Sequence, residues 1–66
     1  MNILLNNKPE ELLERLTIKK LLEMKSIKSK YYAIEINNKI IPKSEHAEYL
    51  LKDGDKIEII TAIGGG

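Results

Sequence analysis

The chain contains no cysteine, no phenylalanine and no tryptophan. Without thiols there can be no disulfide staple, no thiolate zinc site and no catalytic cysteine supplied by the chain itself. A disulfide-free domain this short fits a reducing compartment better than the secreted mini-protein class. Tyr31, Tyr32 and Tyr49 are its only aromatics, too few for a base-stacking platform. Charge of one sign is lacking as well. Eleven Lys and Arg stand against ten Asp and Glu, so no segment has the electrostatic footprint of a nucleic-acid binder. No apolar run approaches the roughly 20 residues needed to span a bilayer, and the aliphatic opening at Met1–Leu5 is too short for a signal peptide. The expectation is a soluble, cytoplasmic protein with no nucleic-acid and no membrane partner. At 66 residues the chain has the size of one small domain. Such a chain buries only about 60% of its unfolded surface, which leaves little room for a catalytic cleft beside a core.

What is present is aliphatic, mostly Ile and Leu, and its spacing gives the elements. Asn2–Asn6 reads as a strand with Ile3 and Leu5 on one face, closed by Asn6-Asn7-Lys8-Pro9, where Asn tolerates left-handed dihedrals and Pro fixes φ. In Glu10–Met24 a single helix would carry two opposed stripes, Leu12, Leu13 and Leu16 on one side and Ile18, Leu21 and Leu22 on the other. A break at Thr17, a good N-cap, resolves the conflict and predicts a helix over Ile18–Lys25. Glu10–Leu16 remains open between a helical turn and a short strand returning from the Asn-Pro turn.

Further on, Tyr31–Ile36 alternates, with Tyr32, Ile34 and Ile36 sharing a face. Asn37-Asn38 suits a two-residue turn, after which Lys39–Ile41 runs back until Pro42 removes a backbone donor. Lys43–Leu51 is polar, with Ser44 placed to cap one helical turn and Tyr49, Leu50 and Leu51 as anchors beneath a loop. Asp53-Gly54-Asp55 signals a turn with Gly54 left-handed. The last strand, Lys56–Ile63, sets Ile57, Ile59, Thr61 and Ile63 on one side and Glu58, Ile60 and Ala62 on the other. One helix on one face of a small mixed sheet buries these residues economically. This is an α+β chain of β-grasp type, with the domain at 1–63 and a flexible glycine tail at 64–66.

Composition does not account for Gly64-Gly65-Gly66. At a background near 7% Gly, three in a row at a given place arise by chance about once in 3,000. A frayed linker is the bland reading. The chemical reading starts from the carboxylate of Gly66, a poor electrophile that must be activated, typically as an acyl-adenylate. An activating enzyme must enclose the chain end, and residues without side chains pass a narrow channel in any dihedral. Three extended residues reach roughly 10 Å, enough to place Gly66 in a neighbour's active site while the domain stays outside. With no thiol in the chain, any sulfur it carries must sit on that carboxylate.

Other candidates are weaker. Asp53-Gly54-Asp55 lacks the further oxygen ligands of a calcium loop, so no metal site is expected. His46, the only histidine, lacks a visible nucleophile and orienting partner and reads as a surface residue. Ser26, Ser29 and Ser44 lack the setting of a nucleophile. Lys25, Lys28 and Lys30 are candidates for a docking rim. Ile60, Ala62 and Ile63 lie next to the tail. If Ile57 and Ile59 face the core, Ile60 and Ala62 form an exposed apolar patch of the kind that marks partner sites.

The chain resembles the ThiS family of sulfur carriers in thiamine biosynthesis. The resemblance rests on Thr17-Ile18 opening a helix with Leu21-Leu22-Glu23, and on Ala33-Ile34-Glu35-Ile36-Asn37 followed by Ile40-Ile41-Pro42. It continues through Leu51-Lys52-Asp53-Gly54-Asp55-Lys56-Ile57 to the terminal glycines, and fits least well over Pro9–Leu16. It implies a carrier without catalytic residues or a bound cofactor. A ubiquitin-activating-enzyme-like adenylyltransferase using ATP and Mg would adenylate Gly66, and a cysteine desulfurase or other donor would supply sulfur for a thiocarboxylate. Thiazole synthase would receive it. Gly65 and Gly66, and more weakly Gly64, are the positions carried over. Molybdopterin synthase small subunits and ubiquitin-like modifiers share this tail chemistry, although Ile60-Thr61-Ala62-Ile63 lacks the aromatic or proline residues those subunits tend to carry there. A stand-alone β-grasp adaptor would not need the tail.

Overall fold

The computed structural model describes residues 1–27 and 31–61. Among these, β1 (Asn2–Leu5), β2 (Lys8–Glu11), α1 (Ile18–Met24), β3 (Tyr32–Ile36), β4 (Lys39–Ile40) and β5 (Lys56–Thr61) follow in order, with one 3-10 turn at Lys43–Glu45. The strands form one sheet in the order β2-β1-β5-β3-β4. β1 and β5 pair in parallel at its centre, and the other pairs are antiparallel. The helix covers one face, which is the β-grasp arrangement expected from the sequence.

The alternation of the strands decides which face is covered. Ile3, Leu5, Ile34, Ile36 and Ile57 are buried beneath α1, where they meet Ile18, Leu21 and Leu22. Each buried Ile or Leu contributes about 1.5–3 kcal/mol. This tertiary packing is what stabilises α1, since seven residues are too few for an isolated helix.

Both ends of α1 are capped as its sequence allows. The Thr17 hydroxyl accepts a hydrogen bond from Lys20 N at 3.1 Å, the N-cap expected. At the other end Lys25 is the C-cap and Ser26 turns left-handed at φ 55. Ser26 N then donates to Glu23 O and Ile27 N to Leu22 O, both at 3.1 Å, a Schellman closure made without the usual glycine.

The open segment resolves as a strand at Lys8–Glu11, paired with β1. Two features allow this despite a Lys-Pro-Glu-Glu sequence. β2 is an edge strand, where proline is tolerated, and left-handed Asn6 and Asn7 (φ 50 and 66) close a tight hairpin. After β2 the chain turns inward at Leu12, outward at Leu13 and inward again at Leu16. Leu12 and Leu16 are buried, but Leu13 is 97% exposed, so the three do not form the common stripe that helical spacing suggested. Leu16 O accepts from Leu51 N at 2.8 Å and Thr17 bridges Leu50, which holds this stretch extended up to the helix start.

The loop after β4 departs from expectation at three residues. Ser44 lies inside the 3-10 turn, whose N-cap is Pro42 with no side-chain cap bond, so Ser44 caps nothing. Leu51 is fully buried, but Leu50 is 47% exposed because neighbours in an extended bridge point opposite ways. His46 is not a surface residue: it is 5% exposed. Its Nε2 lies 2.9 Å from Ile41 O, and its backbone carbonyl accepts from Lys19 N at 3.0 Å. A carbonyl can only accept, so Nε2 donates to it, while Nδ1 has no partner among the described residues. The ring packs 5.9 Å from that of Tyr32, over which the Lys43 ammonium sits. His46 thus pins the loop to the sheet and to the start of α1, the work of a core residue.

Candidate functional site

β5 leads toward the C-terminal glycines, and its two faces have opposite fates. Ile57 is fully buried and Ile59 packs against the core, whereas Ile60 is 50% exposed on the uncovered face. The expected facing of Ile57, Ile59 and Ile60 therefore holds. Thr61, on the core side by alternation, is already exposed, so the covered part of the strand ends near Ile59. Ala62, Ile63, Gly64, Gly65 and Gly66 lie outside the described residues.

The register extends the uncovered face beyond what the sequence indicated. Ile60 stands opposite Ala33 and Glu58 opposite Glu35, with Ile40 opposite Glu35 on the next strand. Leu4 pairs with Lys56 on the other side of β5. Leu4, Ile40 and Ile60 are 40%, 62% and 50% exposed, so exposed aliphatic side chains stand on β1, β4 and β5. Between them, the directly opposed Glu35 and Glu58 place two like charges on neighbouring strands, a mildly unfavourable arrangement in the free protein. None of this is legible before the strand register is known.

Two asparagines hold β5 from either side. Asn6 Oδ1 accepts from Ile59 N at 2.9 Å and Asn37 Oδ1 from Lys56 N at 3.0 Å. Each side chain adds an acceptor beside a backbone bond from the same asparagine, Asn6 N to Ile57 O and Asn37 N to Lys56 O. Asn37 also donates through Nδ2 to Asp55 Oδ1 at 3.1 Å, and Asp55 Oδ2 accepts from Lys52 N at 2.8 Å. Both carboxylates of Asp53-Gly54-Asp55 are taken by such contacts, for Asp53 Oδ1 accepts from Asn2 N at 2.6 Å. With Gly54 at φ 87, the segment is the turn expected of it. No cluster that could hold a metal ion occurs among the described residues, and no helix among them is long and apolar enough to cross a membrane.

Of the three lysines considered as a docking rim, Lys25 pairs with Glu10, tying the end of α1 to β2. Lys28 and Lys30 lie outside the described residues.

Comparison with known proteins agrees along the whole chain. The model of the ThiS family matches residues 3–66. The sulfur carrier protein ThiS of Escherichia coli is 32% identical over 66 residues, covering all of both chains. A thiazole synthase of Paramagnetospirillum magneticum is 36% identical over 66 residues, of which the present chain spans only 20% of the length. Among solved structures, the thiamine biosynthesis protein ThiS of Geobacter metallireducens superposes with a TM-score of 0.84 at 30% identity, covering all of both chains.

Proposed function

The chain belongs to the ThiS family, and from that premise we propose that it is a sulfur carrier of thiamine biosynthesis whose cargo sits on the carboxylate of Gly66. The observation that carries this reading is the extent of the family match, which runs through β5 and on to residue 66. The chemistry follows from the carboxylate. An adenylyltransferase joins a Gly66 oxygen to the α-phosphate of ATP with loss of pyrophosphate. A sulfur nucleophile, from a desulfurase or another donor, then displaces AMP to leave a thiocarboxylate. Thiazole synthase is the acceptor, and the likeness to a protein of that name supports the pairing. The chain contributes no acid, base or metal to these steps. Its part is to present Gly66 on a tail of Gly64 and Gly65, which enters a partner's channel without side-chain obstruction.

Docking would use the uncovered sheet face at Ile60, and Ala62 and Ile63, which come before the tail in the sequence, are candidates for the same partner contact. Exposed aliphatics beside a tail to be enclosed suit a partner that excludes water around the reacting end. The opposed Glu35 and Glu58 favour a partner surface with a basic residue at that point.

The test is intact-mass analysis after incubation with a ThiS-family adenylyltransferase, ATP, magnesium and a sulfur donor. The expected product has one oxygen replaced by sulfur at the C-terminal residue. No mass change with partners competent on another ThiS protein would refute the reading. Ile60→Asp is expected to raise the KM for the carrier about tenfold or more while amide spectra stay native. Unfolding of that variant would reverse the face assignment.

A further inference from the structure

The charges around the end of β5 differ in sign from one side of the sheet to the other. On the uncovered face, half-buried Glu58 and Glu35 stand opposite each other, with Glu58 two residues before Ile60. On the helix side the last pair of that ladder is Tyr32 and Thr61, and the Lys43 ammonium lies 4.5 Å from the centre of the Tyr32 ring. Lys43 is exposed, yet its place is fixed. It opens the 3-10 turn behind Pro42, and its carbonyl accepts from His46 N at 3.1 Å. The buried His46 ring is bonded to Ile41 O at 2.9 Å and packs 5.9 Å from Tyr32. Turn, histidine and tyrosine together hold one cation beside the strand end that leads to the tail. An aromatic ring is neutral overall, so it orders the ammonium without cancelling its charge. A lysine held this way has less side-chain freedom left to lose when a partner binds it.

We propose that Lys43 is a recognition residue for the adenylyltransferase that encloses the tail, its ammonium meeting an acidic side chain at the mouth of that enzyme's channel. The proposal rests on the docking reading at Ile60 and adds a second contact, on the other side of β5. Opposite charges on the two sides make the docking directional. An enzyme with a basic group facing Glu35 and Glu58 and an acidic group facing Lys43 accepts β5 in one rotation about its axis. Turned by half a revolution, the strand brings like charges together at both places, which disfavours the wrong orientation. The glycines of the tail cannot set that rotation themselves, since they have no side chains for a channel to read. The orientation of Gly66 is therefore fixed upstream of it, by groups the folded domain holds in place.

The experiment measures carrier-dependent ATP–pyrophosphate exchange by a ThiS-family adenylyltransferase, with the full chain as the varied substrate. Lys43→Met keeps an unbranched stem against the ring and removes the charge, and should raise the KM for the carrier about fivefold with little change in kcat. Lys43→Glu should raise it about twentyfold or more. Lys43→Arg, which keeps the charge and stacks on tyrosine, should leave it within about twofold. The wild-type KM should also climb with salt more steeply than that of Lys43→Met. Equal KM for wild type and Lys43→Met would overturn the proposal. A merely structural role predicts equal losses in Lys43→Met and Lys43→Glu with unaltered salt dependence, and that result would overturn it too. Ile60→Asp separates this proposal from the reading it rests on. If Ile60→Asp raises KM and Lys43→Met does not, the sheet face docks the enzyme and Lys43 has no part in it. If neither does, docking at Ile60 falls and the role of Lys43 falls with it.

Discussion

The two hairpins at opposite edges of the sheet are closed by the same dipeptide in the same conformation, yet they do different work. Asn6-Asn7 joins β1 to β2 with φ of 50 and 66, and Asn37-Asn38 joins β3 to β4 with φ of 53 and 70. In each, the first asparagine reaches sideways to β5 and the second supplies the turn. Asn37 holds the beginning of β5 at Lys56 and is itself held by buried Asp55. Asn6 acts alone and holds the strand near its end at Ile59, one residue before Ile60. The first clasp is therefore part of the fold's foundation, while the second steadies the strand where it leaves the core for the tail.

Asp55→Ala should produce the largest effect. It removes the buried carboxylate that accepts from both Lys52 N and Asn37 Nδ2 in partly buried bonds. Hydrogen bonds to a charged group contribute about 1.5–3 kcal/mol each, only partly additive, so urea denaturation should show a loss of about 3 kcal/mol. A loss below about 1 kcal/mol would mean that the Asn37 clasp is no better founded than the Asn6 clasp.

The hairpins differ equally in how well their sequences announce them. Asn37-Asn38 lies between Tyr-Ala-Ile-Glu-Ile and Lys-Ile-Ile, where alternation and β-branched residues mark strands on both sides. Asn6-Asn7 is followed by Lys-Pro-Glu-Glu, which has no strand propensity, and β2 exists because β1 offers it an edge. The turn chemistry was the same, and only the flanks were silent. A similar reason explains Leu13. Its spacing from Leu12 and Leu16 fits a helix, but register with β1 and the bridge to Leu50 keep the segment extended, so its exposure could not be seen in the sequence. His46 was misread because its burial depends on Ile41 O and Lys19 N, both earlier in the chain, which only the fold brings to it. Ile60, by contrast, followed from alternation alone once one helix was assigned to one sheet face.

Next in size, Asn37→Ala and Asn6→Ala set the two clasps directly against each other. Asn37→Ala loses two side-chain bonds and leaves Asp55 half-satisfied, for about 2 kcal/mol; Asn6→Ala loses one exposed bond, for about 1 kcal/mol. Local stability should rank them the other way at the tail. Hydrogen exchange at the Ile59 amide should accelerate more in Asn6→Ala than its global loss explains, because opening there is sub-global. If Ile59 exchange follows global stability in both variants, the two asparagines are interchangeable and the division of labour fails.

The smallest effect tests what the hairpins have in common. Asn7 and Asn38 occupy the second turn position at φ 66 and 70, and no hydrogen bond from either side chain is found among the described residues. Glycine relieves the left-handed conformation but gives the unfolded chain more freedom. The two terms oppose each other, and Asn7→Gly and Asn38→Gly should each shift stability by less than about 0.5 kcal/mol in the same direction. Matching shifts would confine the difference between the hairpins to the asparagines that touch β5. Opposite shifts would locate part of it in the turns themselves, where φ at the second position differs by four degrees.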